Sequence, residues 1–223
     1  MNNTFLNQPA FLNANEAFEH YYDTIMECGE ITPLRTKALY NVGFYILAPS
    51  DNNIICPWRK WSKKYAEREW QWYLSANPSV VEIKKFAPVW DKMHGGDNIV
   101  NSNYGYQWMR NDQLNKCIEQ LRQNSATRQA WISIFDGKEK DKYQFDTPCT
   151  LSIGFSIKPG TDALDMTVIM RSNDLVFGFC NDQYCFSNLQ KLVAARLGLN
   201  VGTYFHFAHD LHIYDYHFNL KNV

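Results

Sequence analysis

The chain has 223 residues and a formal charge of −1, from 22 basic and 23 acidic side chains, so it carries no cationic excess with which to grip a long phosphate backbone. Hydrophobic residues make up 45% and charged residues 20%, which excludes a disordered chain and fits one sizeable core. A single domain over residues 1–223 is therefore expected, with no polymeric nucleic acid as partner. No 18-residue apolar run could span a bilayer, and residues 1–20 lack the basic-then-apolar order of a signal peptide, so a cytoplasmic location without membrane contact is expected.

Residues 14–28 place apolar side chains at helical spacing and predict the first helix. A polar loop carrying Arg35 then enters an extended stretch at residues 40–48. Residues 62–78 predict a second helix, on which Tyr65, Glu69, Trp72 and Tyr73 share about one face and Asn77-Pro78 ends the run. An unpaired carboxylate among aromatics is costly, so Glu69 needs a partner or a task. Residues 88–108 are rich in Gly, Asn and Asp and predict loop, followed by a third helix at 111–123 with Leu114, Ile118 and Leu121 inward.

Residues 128–136 alternate as a strand, with Thr127-Arg128 at its mouth. Strands at 150–159 and 163–174 flank the turn Pro159-Gly160-Thr161-Asp162 and predict a hairpin. After a turn at 177–181, residues 183–197 predict a helix burying Phe186, Leu189, Leu192, Val193 and Leu197. The aromatic-rich residues 202–220 predict a final extended segment. Interleaved helices and hairpins give a mixed α+β fold.

The six cysteines form no C-x-x-C pair and in a chain of this length are not needed as staples, so free thiols are expected. Cys149, in Asp146-Thr147-Pro148-Cys149-Thr150, lies at the lip of a strand where a thiol can face a pocket, whereas Cys185 falls inside a helix pattern and is structural. Arg35, Arg128 and Arg171 each adjoin a Thr or Ser at a loop–strand junction, a pairing of guanidinium fork and hydroxyl suited to phosphate oxygens or to plain surface exposure. His206, His209, His212 and His217 crowd the end of the chain. On a strand His206 and His212 share a face while His209 points away, so no metal site is expected.

At these residues the sequence resembles the thymidylate synthase family over roughly residues 15–217, and most closely its pyrimidine hydroxymethylase branch. The matching stretches are TPCT, RSNDLVFG, VGTYFHFAHDLHIYDYH with its D-x-H-x-Y core, EWQWYL, VWDK and NYGYQW. The resemblance implies a mixed β-sheet packed with helices, a homodimer formed sheet to sheet with a shared active site, and 5,10-methylenetetrahydrofolate as cosubstrate. Cys149 matches the nucleophile that attacks C6 of a pyrimidine nucleoside monophosphate and so activates C5. Arg35, Arg171 and Ser172 match the 5'-phosphate clamp, and Arg128 an arginine supplied by the second subunit. His212 and Tyr214 match the pair on the sugar 3'-hydroxyl, and Asp174 a residue near ring O2 and the folate. Glu69 matches the glutamate that moves protons at the ring 4 position, Tyr104 a residue near the C5 proton transfer, and Trp90 and Asp91 folate-side residues.

Asp182 stands where synthases carry an asparagine that reads uracil. An acid can protonate cytosine N3 and accept from its 4-amino group, and in the family aspartate here marks cytidylate hydroxymethylases. The expected activity is therefore deoxycytidylate 5-hydroxymethyltransferase: one carbon passes from folate to C5 of dCMP, and water adds to give 5-hydroxymethyl-dCMP. The sequence given stops six residues after His217, short of the family's closing tail, and this is expected to admit water. Thr150, Gln129, Cys180, Asn181 and His209 depart from the family pattern and suggest a bacteriophage enzyme working in host cytoplasm. The alternatives are a thymidylate synthase acting on dUMP, a CMP hydroxymethylase, and an inactive nucleotide-binding relative.

Overall fold

The computed structural model describes residues 8–222; residues 1–7, which carry part of the reading of the amino terminus, lie outside them. Short strand β1 (Ala10–Phe11) leads into α1 (Ala14–Cys28), where the Asn13 side chain accepts from the Glu16 amide at 3.0 Å and caps the first turn. Phe18, Tyr21, Tyr22 and Ile25 form its buried stripe. Strands β2 (Glu30–Ile31) and β3 (Thr36–Ile46) follow; β3 begins four residues before the expected stretch, directly after Arg35.

Helix α2 (Lys63–Leu74) is capped by Ser62 and buries Ala66, Glu69, Trp72 and Tyr73. The segment expected to be loop contains α3 (Tyr104–Met109), one and a half turns ahead of α4 (Gln113–Gln123). Gly105 on α3 packs directly on α2: a Cβ there would meet the Tyr73 carbonyl oxygen at 1.6 Å. Gly105→Ala must push α3 off α2, and is expected to destabilise by about 2–3 kcal/mol in urea unfolding. An unchanged midpoint would show that the two helices separate freely.

Strands β4 (Trp131–Ser133), β5 (Thr150–Ile157), β6 (Ala163–Met170) and β7 (Asn173–Asp174) precede α5 (Cys180–Leu197), and β8 (Asn200–Tyr214) closes the sheet. The expected hairpin forms between β5 and β6. A π-helical turn, Leu175–Phe179, replaces the expected turn, so α5 starts at Cys180 and Asp182 lies in its first turn. After Tyr214 the chain leaves the strand for a short 3-10 turn, Asp215–His217.

The strand order is β1-β3-β8-β6-β5-β4, with β2 on β3 and β7 on β8. β8 runs antiparallel to β3 and parallel to β6 and β7. The mixed α+β arrangement matches the expectation from sequence. Helices cover one face, against which Tyr204, His206 and Ala208 of β8 are fully buried. Along the same strand Phe205 and Phe207 are only half-buried, and Tyr40 and Trp131 on other strands stand exposed. Among the described residues no helix is long and apolar enough to cross a membrane.

Candidate active site

Cys149 immediately precedes β5, and the β5–β6 register shifts between Thr150 and Ser152, a bulge that turns the strand mouth. Arg171, immediately after β6, fixes the thiol's surroundings. Its amide donates to the Cys149 carbonyl at 2.8 Å, and its guanidinium donates to the carbonyls of Pro148 (3.0 Å) and Thr147 (2.8 Å). The same guanidinium reaches Cys149 Sγ at 3.6 Å. Burial pushes the thiol up to about 11, and the neighbouring Arg171 charge acts in the opposite sense.

Glu69 projects from the middle of α2. Tyr65 and Tyr73, one turn either side, donate their hydroxyls to its Oε1 at 3.2 and 3.4 Å, and Trp90 Nε1 donates to Tyr65 Oη at 2.9 Å. Oε2 is buried without a hydrogen-bond partner. Burial raises this carboxyl to about 7, so it can hold or release a proton near neutral pH.

Asp182 keeps some exposed surface as a residue, but its carboxyl is enclosed. Burial and then the nearby Glu69 charge hold it well above the usual carboxylate range. Its Oδ2 accepts from Asn173 Nδ2 at 2.9 Å. Tyr104, buried at the start of α3, stacks on Phe186 of α5 with ring centroids 5.5 Å apart, and is electrostatically exposed to both Asp182 and Cys149. The thiol, the two carboxyls and Tyr104 thus form one constellation drawn from α2, α3, α5 and the mouth of β5.

The β3–β8 register brings in a second group by pairing Thr36 with Tyr214 and Ala38 with His212. Arg35 therefore sits beside the D-x-H-x-Y core, with a left-handed backbone (φ 61°) and an ion pair to Asp215 at 2.6 Å. His212 Nδ1 bonds Asp210 at 2.7 Å, and its ring meets Tyr214 edge-on at 5.1 Å. Asp174 caps the π-helical turn by accepting from the Val176 amide; burial raises its carboxyl, and the His212 side chain opposes that shift. Ser172 is half-buried between β6 and β7.

Arg128 does not join this group: it is exposed just before β4, with β5, β6 and β8 between that strand and β3. Asp91 pairs with Lys84 at 2.7 Å on the side of the buried Trp90. A cavity of about 500 Å³ lies next along the chain from these two, with Met93, His94, Lys142, Phe145 and Asp146 in its wall. Cys149, Glu69 and Asp182 do not line it, so it flanks the thiol site rather than forming it. His206, His209 and His212 bond Asn173, Asn41 and Asp210 respectively and do not converge.

Sequence patterning flagged Glu69 as needing partners, and Tyr65 and Tyr73 were legible at i−4 and i+4. It does not single out Asn173, or His206 as a partner for it, because the two lie 33 positions apart and meet only in the folded sheet.

A thiol beside a guanidinium and two carboxyls with raised proton affinity thus stand together on a mixed α+β frame. The chain belongs to the thymidylate synthase family, whose model, Thymidylate synthase, matches residues 17–222. It is 28% identical over 165 residues to the thymidylate synthase of Lactococcus lactis subsp. cremoris, covering 71% of this chain and 59% of that protein. It is 32% identical over 121 residues to that of Streptococcus mutans, covering 53% and 43%. It thus spans less than two thirds of the length of these relatives. Thermostable thymidylate synthase A from Bacillus subtilis shares the fold, with a TM-score of 0.77 at 22% identity over 93% of this chain and 82% of its own.

These relatives correct three expectations. The matches are to thymidylate synthases themselves, not to the pyrimidine hydroxymethylase branch, so that branch and the dCMP hydroxymethyltransferase activity with water addition are set aside. The bacteriophage origin falls with them, since the relatives come from Lactococcus, Streptococcus and Bacillus. The physical reason lies at Asp182. The expectation treats its acidity as matched to cytosine, yet burial holds this carboxyl well above the usual carboxylate range, and in its protonated form it can donate an O–H to a uracil carbonyl as an asparagine amide donates an N–H.

Proposed function

We propose that the protein methylates C5 of deoxyuridylate with 5,10-methylenetetrahydrofolate, as a thymidylate synthase. The observation that carries this reading is the Cys149 thiol beside Arg171, in one site with the raised carboxyls of Asp182 and Glu69. Cys149 gives up its proton to water, the Arg171 charge beside it favouring the thiolate; Sγ then adds to C6, and negative charge gathers at O4. Asp182 in its protonated form, which burial favours, donates to O4, while Glu69 exchanges a proton there near pH 7. C5 becomes the carbon nucleophile and bonds the one-carbon unit; the C5 proton then departs on the Tyr104 side, and its electron pair expels Cys149 and restores the ring. Arg35, Arg171 and Ser172 hold the 5'-phosphate, His212 and Tyr214 the sugar 3'-hydroxyl, and Asp174 the O2 edge.

Methylenetetrahydrofolate supplies the carbon and the hydride that reduces it. Trp90 and Asp91 with the adjacent cavity suit it, because an exposed Phe145 ring and the Lys142 ammonium can meet a flat heterocycle and an anionic tail. The reading treats the chain as one cytoplasmic catalytic domain, with a second copy covering the half-exposed aromatic sheet face. Arg128, remote from the clamp within one chain, then serves the partner's phosphate.

The direct test incubates the protein with methylenetetrahydrofolate and dUMP and measures product mass and dihydrofolate. Equal amounts of thymidylate and dihydrofolate are expected; nucleotide returned unchanged would sink the reading. A second expectation follows from Asp182. Only its protonated form donates to O4, so dUMP turnover falls as pH rises through its elevated pKa. Asp182→Asn should keep turnover within about tenfold of the parent below pH 7 and flatten that alkaline fall, since an amide donates at every pH. An Asn variant inactive across the whole range would show that the acid itself is required.

A further inference from the structure

Behind Asp182 a chain of hydrogen bonds runs through the core: Tyr204 Oη to His206 Nδ1 at 2.8 Å, His206 Nε2 to Asn173 Oδ1 at 3.1 Å, and Asn173 Nδ2 to Asp182 Oδ2 at 2.9 Å. Tyr204 and His206 are fully buried and Asn173 nearly so. Gly178 makes room for the last link, since a Cβ there would stand 2.8 Å from Asn173 Nδ2 and 3.3 Å from Asp182 Oδ2.

The chain has a direction. Among the described residues Tyr204 Oη bonds only His206, so its proton has nowhere else to go in the core and must be donated to Nδ1. A neutral imidazole then carries its hydrogen on Nε2 and donates to Asn173 Oδ1; burial, which lowers this histidine to about 3, keeps it neutral. Asn173 is left with its NH2 toward Asp182. The reverse order would strand the Tyr204 hydroxyl proton and cost about 1–3 kcal/mol.

We propose that Tyr204, His206 and Asn173 are positioning residues that fix Asp182 Oδ2 as an acceptor turned inward and so leave Oδ1 to set which pyrimidine is bound. This rests on the reading of Asp182 as the residue facing the ring. With Oδ2 accepting from Asn173, any proton the carboxyl holds must sit on Oδ1, where it meets the O4 acceptor of uracil. In the reverse order Asp182 would spend its proton on Asn173, and a bare Oδ1 would prefer the 4-amino donor of cytosine. The choice of ring is thus set from behind the carboxyl, by the tautomer of a histidine two residues along the hydrogen-bond chain.

The test uses the whole protein. In 15N-histidine spectra of the parent, His206 is expected as the Nε2-protonated tautomer. Tyr204→Phe, which keeps the ring but removes the donor, is expected to mix the two tautomers. It should also narrow the ratio of dCMP to dUMP dissociation constants by about five- to tenfold, the size of one hydrogen bond. A merely structural role would weaken both nucleotides by the same factor. An Nδ1-protonated ring in the parent, or equal weakening in Tyr204→Phe, overturns the proposal. Because the readouts are a tautomer and a binding ratio, failure of dUMP turnover alone counts against the reaction and leaves the relay standing.

Discussion

Replacing Cys149 with alanine is expected to lower dUMP turnover by at least about 10³-fold, the scale of losing a covalent nucleophile, while nucleotide affinity stays within about threefold. The split follows from position. The thiol sits at the end of β5, and the contacts assigned to phosphate and sugar come from Arg35, Arg171, His212 and Tyr214 on other segments. Arg171 keeps its bonds to the Thr147 and Pro148 carbonyls whether or not a sulfur lies beside it, so the lip of the site does not depend on the thiol. With the thiol near 11, only about one molecule in ten thousand carries a thiolate at pH 7. Alkylation by iodoacetamide should accordingly be slow at neutrality and rise about tenfold per pH unit up to pH 10. Stopped assays of dihydrofolate formation and calorimetric titration with dUMP read the two quantities. An alanine variant retaining a tenth of parental turnover would remove Cys149 from the chemistry.

How far such a site is legible in a sequence depends on how local its determinants are. The first helix is marked by its own residues, with a capping Asn13 and a 3.6-residue apolar stripe, and it forms within one residue of where pattern puts it. The hairpin of β5 and β6 is likewise carried by a local turn. Helix α3 is hidden because it is short and contains Gly105, a poor helix former chosen by a contact with Tyr73 on another helix. The start of α5 is displaced because a π-helical turn absorbs residues whose polarity pattern suggests a break.

The site divides in the same way. Glu69 and its two tyrosines are legible because their i±4 spacing is local, whereas Arg35 comes to Asp215, beside the D-x-H-x-Y core, only through the long-range β3–β8 register. Asp182 shows the limit of reading a residue by type. Its letter suggests an ordinary acid, but burial and the nearby Glu69 hold its carboxyl well above the usual carboxylate range, while the inward donor from Asn173 opposes that shift and occupies Oδ2. What the residue offers a ring is decided by groups on β7 and β8 that no local window contains.

Glu69 carries the last expected result. Its folded-state value of about 7 lies above the usual 4.5, so the folded protein holds this proton more tightly than the unfolded chain. Below pH 4.5 both states are protonated and the carboxyl costs nothing. As pH rises the unfolded chain releases the proton first, and stability drains until the folded group ionises near pH 7. The loss over that window is on the order of 3 kcal/mol. Glutamine does not titrate, so Glu69→Gln should gain about 3 kcal/mol relative to the parent between pH 4.5 and pH 8, or about 6–12 °C in melting temperature for a domain of this size. The same variant should lose about 10²-fold or more in turnover, because an amide cannot exchange a proton at O4. Thermal melts at the two pH values give the stability term, and a difference that does not change with pH would mean that Glu69 is already solvated or paired. The opposed signs are the physical content of the site: the carboxyl that burial makes expensive at neutral pH is the one whose proton is poised to move.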